Sequence, residues 1–211
     1  MFLRYARNAF SQNGEDGILE EILRRLGVEE GLAFECGAWD GMHLSNTYAL
    51  TLREPGFRVV AVEGDEARYA DLVKTAERNP KIVPVNAWLA KDEDTIGDIL
   101  KRLDAEDVAL MSIDIDSHDY HAWENLSPDI RPLVVVIEIN SSFPPGVEKI
   151  YPDIEGSTFT STLKLGRSKG YTLVCHTGNM IFVRDDAVHR LNVDTSDPNS
   201  MFVTNWLPVS V

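Results

Sequence analysis

The sequence is poor in cysteine, in basic residues and in long apolar runs, and each shortage excludes a class of protein. Two cysteines in 211 residues are too few for a disulfide framework, so we predict reduced thiols in a cytoplasmic protein. The longest purely aliphatic run, residues 133–137, is far shorter than the roughly 20 residues of a membrane span. Residues 1–10 contain no apolar stretch of signal-peptide length, which also favours the cytoplasm.

The charge balance argues against polyanionic partners. The chain has 34 acidic and 20 basic residues, and its formal net charge is −14. Most of such a surface repels nucleic acid and anionic membranes, because both carry dense negative charge. We therefore expect a small-molecule partner, without nucleic acid or membrane, and a divalent cation would suit the acidic surface.

Short apolar runs alternate with amphipathic stretches along the chain, and a final hairpin is predicted around residues 177–179. This order predicts a Rossmann-like α/β fold: a mostly parallel seven-stranded sheet with a C-terminal antiparallel hairpin and helices on both faces. We expect a single domain, with an N-terminal helical segment at residues 1–31, a core at 32–190 and a tail at 191–211. In detail, Ser11 is predicted to cap the first helix, and a further helix is predicted over residues 44–52.

Ligands of such sheets bind beyond the carboxyl ends of the strands, so the residues that follow each strand are the candidates. The turn after the first predicted strand contains Glu35, Gly37, Ala38 and Gly41, and its glycines permit a close approach of backbone to a ligand. The dinucleotide fingerprint G-x-G-x-x-G is absent. Glu63, at the tip of the second strand, is placed to accept hydrogen bonds from a ribose. Together these features predict a nucleoside site.

Acidic residues are concentrated where the fourth and fifth strands end. Asp114 and Asp116 are two residues apart, as are Glu138 and Asn140, so each pair shares one side of an extended chain. If the two strands are neighbours, these oxygen atoms converge and suit Mg²⁺, Ca²⁺ or Mn²⁺. We prefer Asp116, Glu138 and Asn140 as metal ligands. The alternative is that the carboxylates cap a helix or contact a cofactor without any metal, and Asp114 is the better cofactor or substrate residue.

The same segment contains the candidates for a catalytic base. His118 is preferred because imidazole titrates near neutral pH and this residue lies close to the strand tip, and Asp119 is the second candidate. His121 and His43 are less favoured positions. Each of these histidines is also compatible with a role in packing or at the surface.

The motifs after the strands resemble those of class I S-adenosylmethionine-dependent methyltransferases. Within this class, the sequence more closely resembles the FkbM-type branch, with some similarity to the metal-dependent macrocin O-methyltransferase (TylF) type. The resemblance extends from Ser11-Gln12-Asn13-Gly14-Glu15-Asp16 through Arg184. At the fourth strand the FkbM branch usually has Asp-Val-Glu-Gly, where this chain has Asp114-Ile115-Asp116-Ser117.

The resemblance implies S-adenosylmethionine as the cofactor and roles for particular residues. It implies contacts of the first turn with the methionine portion, of Glu63 with ribose, of Asn86-Ala87 with adenine, and of acids at the fourth and fifth strand ends with a divalent cation. The expected reaction is O-methylation of a small hydroxylated molecule, with N-methylation still open. A metal-dependent hydrolase using residues 114–121, a nicotinamide-dependent oxidoreductase and a non-catalytic nucleoside-binding protein are the alternatives. The tail, which contains Trp206 and Leu207, either packs on its own domain or contributes to a homodimer.

Overall fold

The computed structural model describes residues 2–89, 93–105, 107–150 and 156–204. The predicted residues Trp206 and Leu207 lie outside the described residues. Seven strands are present in the described part of the chain: β1 (Gly31–Cys36), β2 (Phe57–Glu63), β3 (Ile82–Asn86), β4 (Val108–Ile113), β5 (Val134–Glu138), β6 (Tyr171–His176) and β7 (Asn179–Arg184).

Within the same described ranges, six α-helices alternate with these strands: α1 (Glu15–Leu26), α2 (Tyr48–Thr51), α3 (Glu66–Arg78), α4 (Thr95–Arg102), α5 (Asp119–Asn125) and α6 (Phe159–Ser168). Helix α3 begins where the Asp65 side chain accepts hydrogen bonds from the N–H groups of Ala67 and Arg68. Helix α1 ends at Gly27, whose φ of 70° allows the chain to leave the helix. These local signals explain why α3 begins, and α1 ends, at the predicted residue.

The seven strands form one sheet in the order β3-β2-β1-β4-β5-β7-β6. All neighbours are parallel except β7, which is antiparallel to both β5 and β6. The chain moves outwards from β1 to β3 and then returns to β4 on the other side of β1, so the strand order reverses between β1 and β4. The predicted sheet with its C-terminal antiparallel hairpin is confirmed.

Two apolar cores cover the two faces of the sheet. Alternation along β1 divides the side chains, because Phe34 and Cys36 pack in one core and Ala33 packs in the other. The parallel register brings Cys36 level with Val62 of β2 and Ile113 of β4. The carboxyl ends of the three central strands therefore lie side by side.

The structure differs from the sequence-based expectation at two helix starts. Residues 44–47 are not helical, and α2 has only the four residues Tyr48–Thr51. Gly14, rather than Ser11, precedes the first residue of α1, and Ser11 instead hydrogen-bonds the Asp16 carboxylate. In both places a buried carboxylate binds the loop polar groups that a regular helix would have used.

No helix in the described ranges combines the length and the hydropathy needed to cross a bilayer.

Candidate functional site

A cleft of about 730 Å³ lies at the carboxyl ends of the strands, over the point where the strand order reverses. Loops that follow β1, β2, β3 and β4 line it, together with Glu138 at the end of β5 and Gln12 from the segment before α1. Of the residues predicted from the sequence, the cleft contains Glu35, Gly37, Ala38, His43, Glu63, Ala87, Asp114, Asp116, His118 and Glu138.

Glu35 organises the loop that follows β1. One of its carboxylate oxygens accepts hydrogen bonds from the hydroxyls of Ser45 and Thr47, both at 2.7 Å, and the other accepts from the N–H of Asn46 at 2.8 Å. Burial raises the pKa of Glu35, while these hydrogen bonds oppose the shift. The carboxylate therefore fixes residues 45–47 against the strand tip and shapes one wall of the cleft.

The two glycines of this turn have different surroundings. Gly37 lines the cleft with a φ of 71°, and a Cβ there would lie 1.8 Å from the carbonyl oxygen of Asp114. The protein's own backbone therefore requires this glycine, without any ligand. Gly41 lies outside the cleft, because it packs against the Leu72 side chain of α3.

Glu63 is buried at the tip of β2 and connects two loops. Its oxygens accept hydrogen bonds from the N–H groups of Trp39 and Asp65, at 2.9 and 2.8 Å. Each carboxylate oxygen has two lone pairs, so one on each oxygen is left for a further donor. An acid held in this way is preorganised to bind two neighbouring hydroxyl groups.

An aromatic surface lies beside Glu63. The Trp88 indole contacts Gly64, where a Cβ would come within 2.5–2.9 Å of three ring atoms. The Trp88 side chain is nevertheless 77% exposed and lines the cleft. Ala87 lies in the cleft, whereas Asn86 does not, because its amide N–H donates to the backbone carbonyls of Glu63 and Gly64. Of the two residues to which the resemblance gives an adenine contact, only Ala87 lines the cleft, next to Trp88.

Three acids at the ends of β4 and β5 lie close together. One carboxylate oxygen from each of Asp114, Asp116 and Glu138 lies within 4.8 Å of the others. Burial and the neighbouring charges raise the pKa of Glu138 to about 9 and that of Asp114 to about 6. The Glu138 and Asp114 side chains hydrogen-bond each other, so while no cation is bound the raised pKa favours a proton shared between these two groups.

Two predicted members of this region lie outside the cleft. The side-chain oxygen of Asn140 accepts a hydrogen bond from the N–H of Ser142 in the next turn, and Asp114 takes its place in the carboxylate group. Asp119 is buried at the start of α5, where it accepts a hydrogen bond from the Ile115 N–H at 2.7 Å. Burial and the Asp114 charge raise the pKa of Asp119 to about 7. Because Asp119 is buried and does not line the cleft, it positions the loop that follows β4 and does not itself contact a ligand.

His118 lines the cleft beside the carboxylate group, and its Nδ1 lies 2.8 Å from the Ser117 hydroxyl. This contact orients the imidazole and leaves Nε2 as the second ring nitrogen for a proton. His121 is one turn further along and pairs with Glu124 on α5, at 3.1 Å, outside the cleft. His118 is therefore the better placed of the two histidines.

The cleft is strongly acidic. Carboxyl groups of six residues line it, namely Glu35, Glu63, Asp65, Asp114, Asp116 and Glu138. Arg68 is the only lysine or arginine among the described residues that line it, and its guanidinium lies 5.0 Å from the centre of the Trp39 ring. The electrostatic potential of such a cleft favours a cationic or neutral ligand over an anion.

Sequence reasoning missed several lining residues. Ser45 and Asn46 were assigned to a helix, although the acid ten residues upstream was a signal for a bound loop. Trp88 was detectable as an aromatic residue two positions beyond a strand end. Gln12 had no local signal, because only the folded chain brings the N-terminal segment to the sheet edge.

No protein-family model and no curated protein matches this chain. Among solved structures, the chain is similar to an S-adenosylmethionine-dependent methyltransferase from Clostridium acetobutylicum, with 11% identity over 81% of this chain and 90% of that one and a TM-score of 0.49. It is also similar to a TDP-rhamnose 3'-O-methyltransferase of calicheamicin biosynthesis, with 14% identity over 78% of this chain and 75% of that one and a TM-score of 0.49.

A third similar structure is a glycopeptide N-methyltransferase complexed with sinefungin, with 15% identity over 85% of this chain and 90% of that one and a TM-score of 0.47. These structural neighbours are S-adenosylmethionine-dependent methyltransferases. At such identities and TM-scores the likeness carries no information about the activity of this chain, which has to be inferred from the cleft itself.

Proposed function

We propose that this protein is an S-adenosylmethionine-dependent methyltransferase that modifies a small hydroxylated molecule. The observation that carries the proposal is the acidic cleft at the strand switch point, with the preorganised Glu63 carboxylate beside the exposed Trp88 ring. S-adenosylmethionine bears a sulfonium, an ammonium and a single carboxylate, so its net charge is positive. When bound it supplies an activated methyl group.

The same electrostatics argue against a nicotinamide dinucleotide. A pyrophosphate needs N–H groups or cations around it, and the lining carboxylates would repel its charge. Arg68, the single guanidinium of the lining, packs on Trp39 at the mouth. The loop after β1 also directs two of its N–H groups, those of Trp39 and Asn46, to carboxylates of the protein.

Each side of the cleft has a distinct role in the proposal. Glu63 binds the two ribose hydroxyls, and Trp88 and Ala87 stack against adenine. Asp114 follows β4, across the switch point from Glu63, and its carboxylate attracts the ammonium group of the cofactor. Glu35 acts indirectly, by holding the loop at residues 45–47.

The acceptor is expected over the ends of β4 and β5, next to His118. This histidine takes the proton of the acceptor hydroxyl as the methyl group is transferred, and a fixed alignment of the two reactants supplies several kcal/mol of the barrier. The carboxylates of Asp114, Asp116 and Glu138 fit Mg²⁺ or Ca²⁺ as an all-oxygen set. A bound cation would lower the cost of deprotonating the acceptor. Metal assistance and membership of the FkbM-like branch are parts of the same proposal.

Native mass spectrometry with and without S-adenosylmethionine and Mg²⁺ tests these points together. We expect one cofactor per chain, an additional Mg²⁺ that is removed by excess chelator, and a mass that reports any homodimer. A protein that binds Mg²⁺ but does not bind S-adenosylmethionine when both are added would favour a metal-dependent hydrolase. Cofactor binding with no methyl transfer to a broad acceptor panel would favour a non-catalytic nucleoside-binding protein.

Replacing Glu63 tests the cofactor site directly. Hydrogen bonds to a charged acceptor contribute roughly 1.5–3 kcal/mol each, so Glu63→Ala is expected to weaken S-adenosylmethionine binding at least about tenfold. The loss can be measured by quenching of tryptophan fluorescence, because Trp39 and Trp88 line the cleft. Glu66→Gln, which also removes one exposed acid nearby, is the matched control and should bind normally. Equal affinity of Glu63→Ala and wild type would refute the assignment.

A further inference from the structure

The segment before α1 is an ordered loop held by buried carboxylates. A single oxygen of Asp16 accepts hydrogen bonds from the N–H groups of residues 9, 10 and 11 and from the Ser11 hydroxyl, all at 2.8 Å. Glu15 accepts a hydrogen bond from the N–H of Asn13 at 2.7 Å, and the Asn8 amide donates to the carbonyl of Gln12 at 2.9 Å. Residues 8–14 are therefore fixed in one conformation.

Gln12 is the exception within this loop. Its backbone is bound, but its side chain is exposed, lines the cleft and has no hydrogen bond to the described residues. A rigid loop that presents one free amide to a cavity resembles a binding group, because only the Gln12 side chain, and not the loop backbone, has to be ordered when a ligand is bound. The proposed cofactor contacts at Glu63, Trp88 and Asp114 do not use it.

The loop reaches the cleft from the side opposite the nucleoside site. Glu15 also accepts hydrogen bonds from the Thr177 hydroxyl at 2.6 Å and the Asn179 amide at 3.3 Å, which ties the loop to β7. Asn179 is paired in register with Glu138 of β5. Strand β5 is three strands away from β2, which at roughly 4.8 Å per strand places this end about 14 Å from Glu63.

We propose that Gln12 contacts the methyl acceptor and helps to select an uncharged, hydrogen-bonding group. The inference rests on the proposed function. The amide offers both a donor and an acceptor, which matches a hydroxyl group. The carboxyl groups of Asp114, Asp116 and Glu138 lie at this end of the cleft, so an acceptor with its own carboxylate or phosphate is disfavoured.

The first test separates the acceptor side from the cofactor side. Gln12→Ala is expected to bind S-adenosylmethionine within twofold of wild type and to melt at the same temperature. With the panel acceptor that wild type methylates fastest, its KM should rise roughly tenfold while kcat changes less. Glu30→Ala, an exposed change at the opposite end of the sheet, is the control. Weaker cofactor binding by Gln12→Ala would overturn the inference, whereas a wild type that binds no cofactor would overturn the proposed function.

A second test measures binding and needs no turnover. Gln12 is the only glutamine in the chain, so labelling with amide-¹⁵N glutamine marks a single side-chain amide in an NMR spectrum. We expect S-adenosylhomocysteine alone to leave it nearly unmoved, methyl β-D-glucopyranoside added to that complex to shift it, and methyl β-D-glucuronide, which adds a carboxylate, to shift it less. A shift caused by S-adenosylhomocysteine alone, no response to the neutral glucoside, or a larger response to the glucuronide would each overturn the inference.

Discussion

Three buried acids, Asp16, Glu35 and Glu63, show how single residues shape this protein. Each accepts two or more hydrogen bonds from loop N–H or hydroxyl groups and so determines the path of a loop around the cleft. An acid at a strand tip is easily noticed in a sequence. Which loop it binds depends on residues 10 to 24 positions away, and local patterns do not report those contacts.

Gly37 and Gly27 provide a residue-scale prediction, because they share nearly the same backbone conformation. Their φ angles are 71° and 70°, but a Cβ at Gly37 meets the Asp114 carbonyl, whereas a Cβ at Gly27 meets nothing within 4 Å. Gly27→Ala is therefore expected to lower the free energy of unfolding by only about 1–2 kcal/mol, the cost of a left-handed conformation. Gly37→Ala should lose clearly more in urea denaturation. Equal losses would show that the strand end can move away from the added methyl group.

At the scale of elements, prediction succeeded where one local signal determines the structure. Helix α3 and strand β3 have the predicted bounds, since a capping Asp65 and an Asn79-Pro80 stop delimit the helix. Residues 44–47 fail to form the predicted helix because Glu35 binds their polar groups. A contact between elements outweighed local propensity there.

The hydrogen bonds that connect Glu15 of α1 to the β6–β7 turn provide a prediction at the scale of elements. Glu15 is fully buried and accepts hydrogen bonds from Asn13, Thr177 and Asn179. Glu15→Ala leaves these donors without a partner, and each unsatisfied buried group costs roughly 1–3 kcal/mol. We expect a large drop in melting temperature for Glu15→Ala and a smaller one for Thr177→Val, which removes a single donor. Circular dichroism measures both melting temperatures. An unchanged melting temperature of Glu15→Ala would mean that water replaces the carboxylate.

At the scale of the whole molecule, the buried acids make stability depend on pH. The pKa values of Asp119 and Glu138 are raised to about 7 and about 9 by burial and mutual repulsion. A carboxyl group with a raised folded-state pKa stabilises the fold below its unfolded pKa, and this stabilisation is lost as the pH rises through the folded value. Burial lowers the pKa of His176 from 6.5 to about 4. The stability that this buried neutral histidine contributes is therefore present above pH 6.5 and is lost only as the pH falls from 6.5 through 4.

Between pH 6.5 and 9 the free energy of unfolding is therefore expected to fall as the pH rises, as measured by urea denaturation. Glu138→Gln, which imitates the protonated acid, should flatten this decline. Mg²⁺ at pH 8 should raise the melting temperature of wild type, because a cation compensates the clustered charge, and Asp116→Asn should reduce that gain. A stability that is independent of pH across this window would show that the cluster is hydrated or already compensated.

The sequence by itself determined the alternation of strands and helices, the parallel sheet with its antiparallel end, and the residue types at the strand tips. Apolar periodicity, caps and turn residues are local, so they can be recognised without the fold. Only the tertiary structure decided that Asp114 rather than Asn140 joins Asp116 and Glu138, that Asp119 lies below the cleft, and that Gln12 enters it. Each of these depends on the distance between segments far apart in the chain, which strand order and register determine.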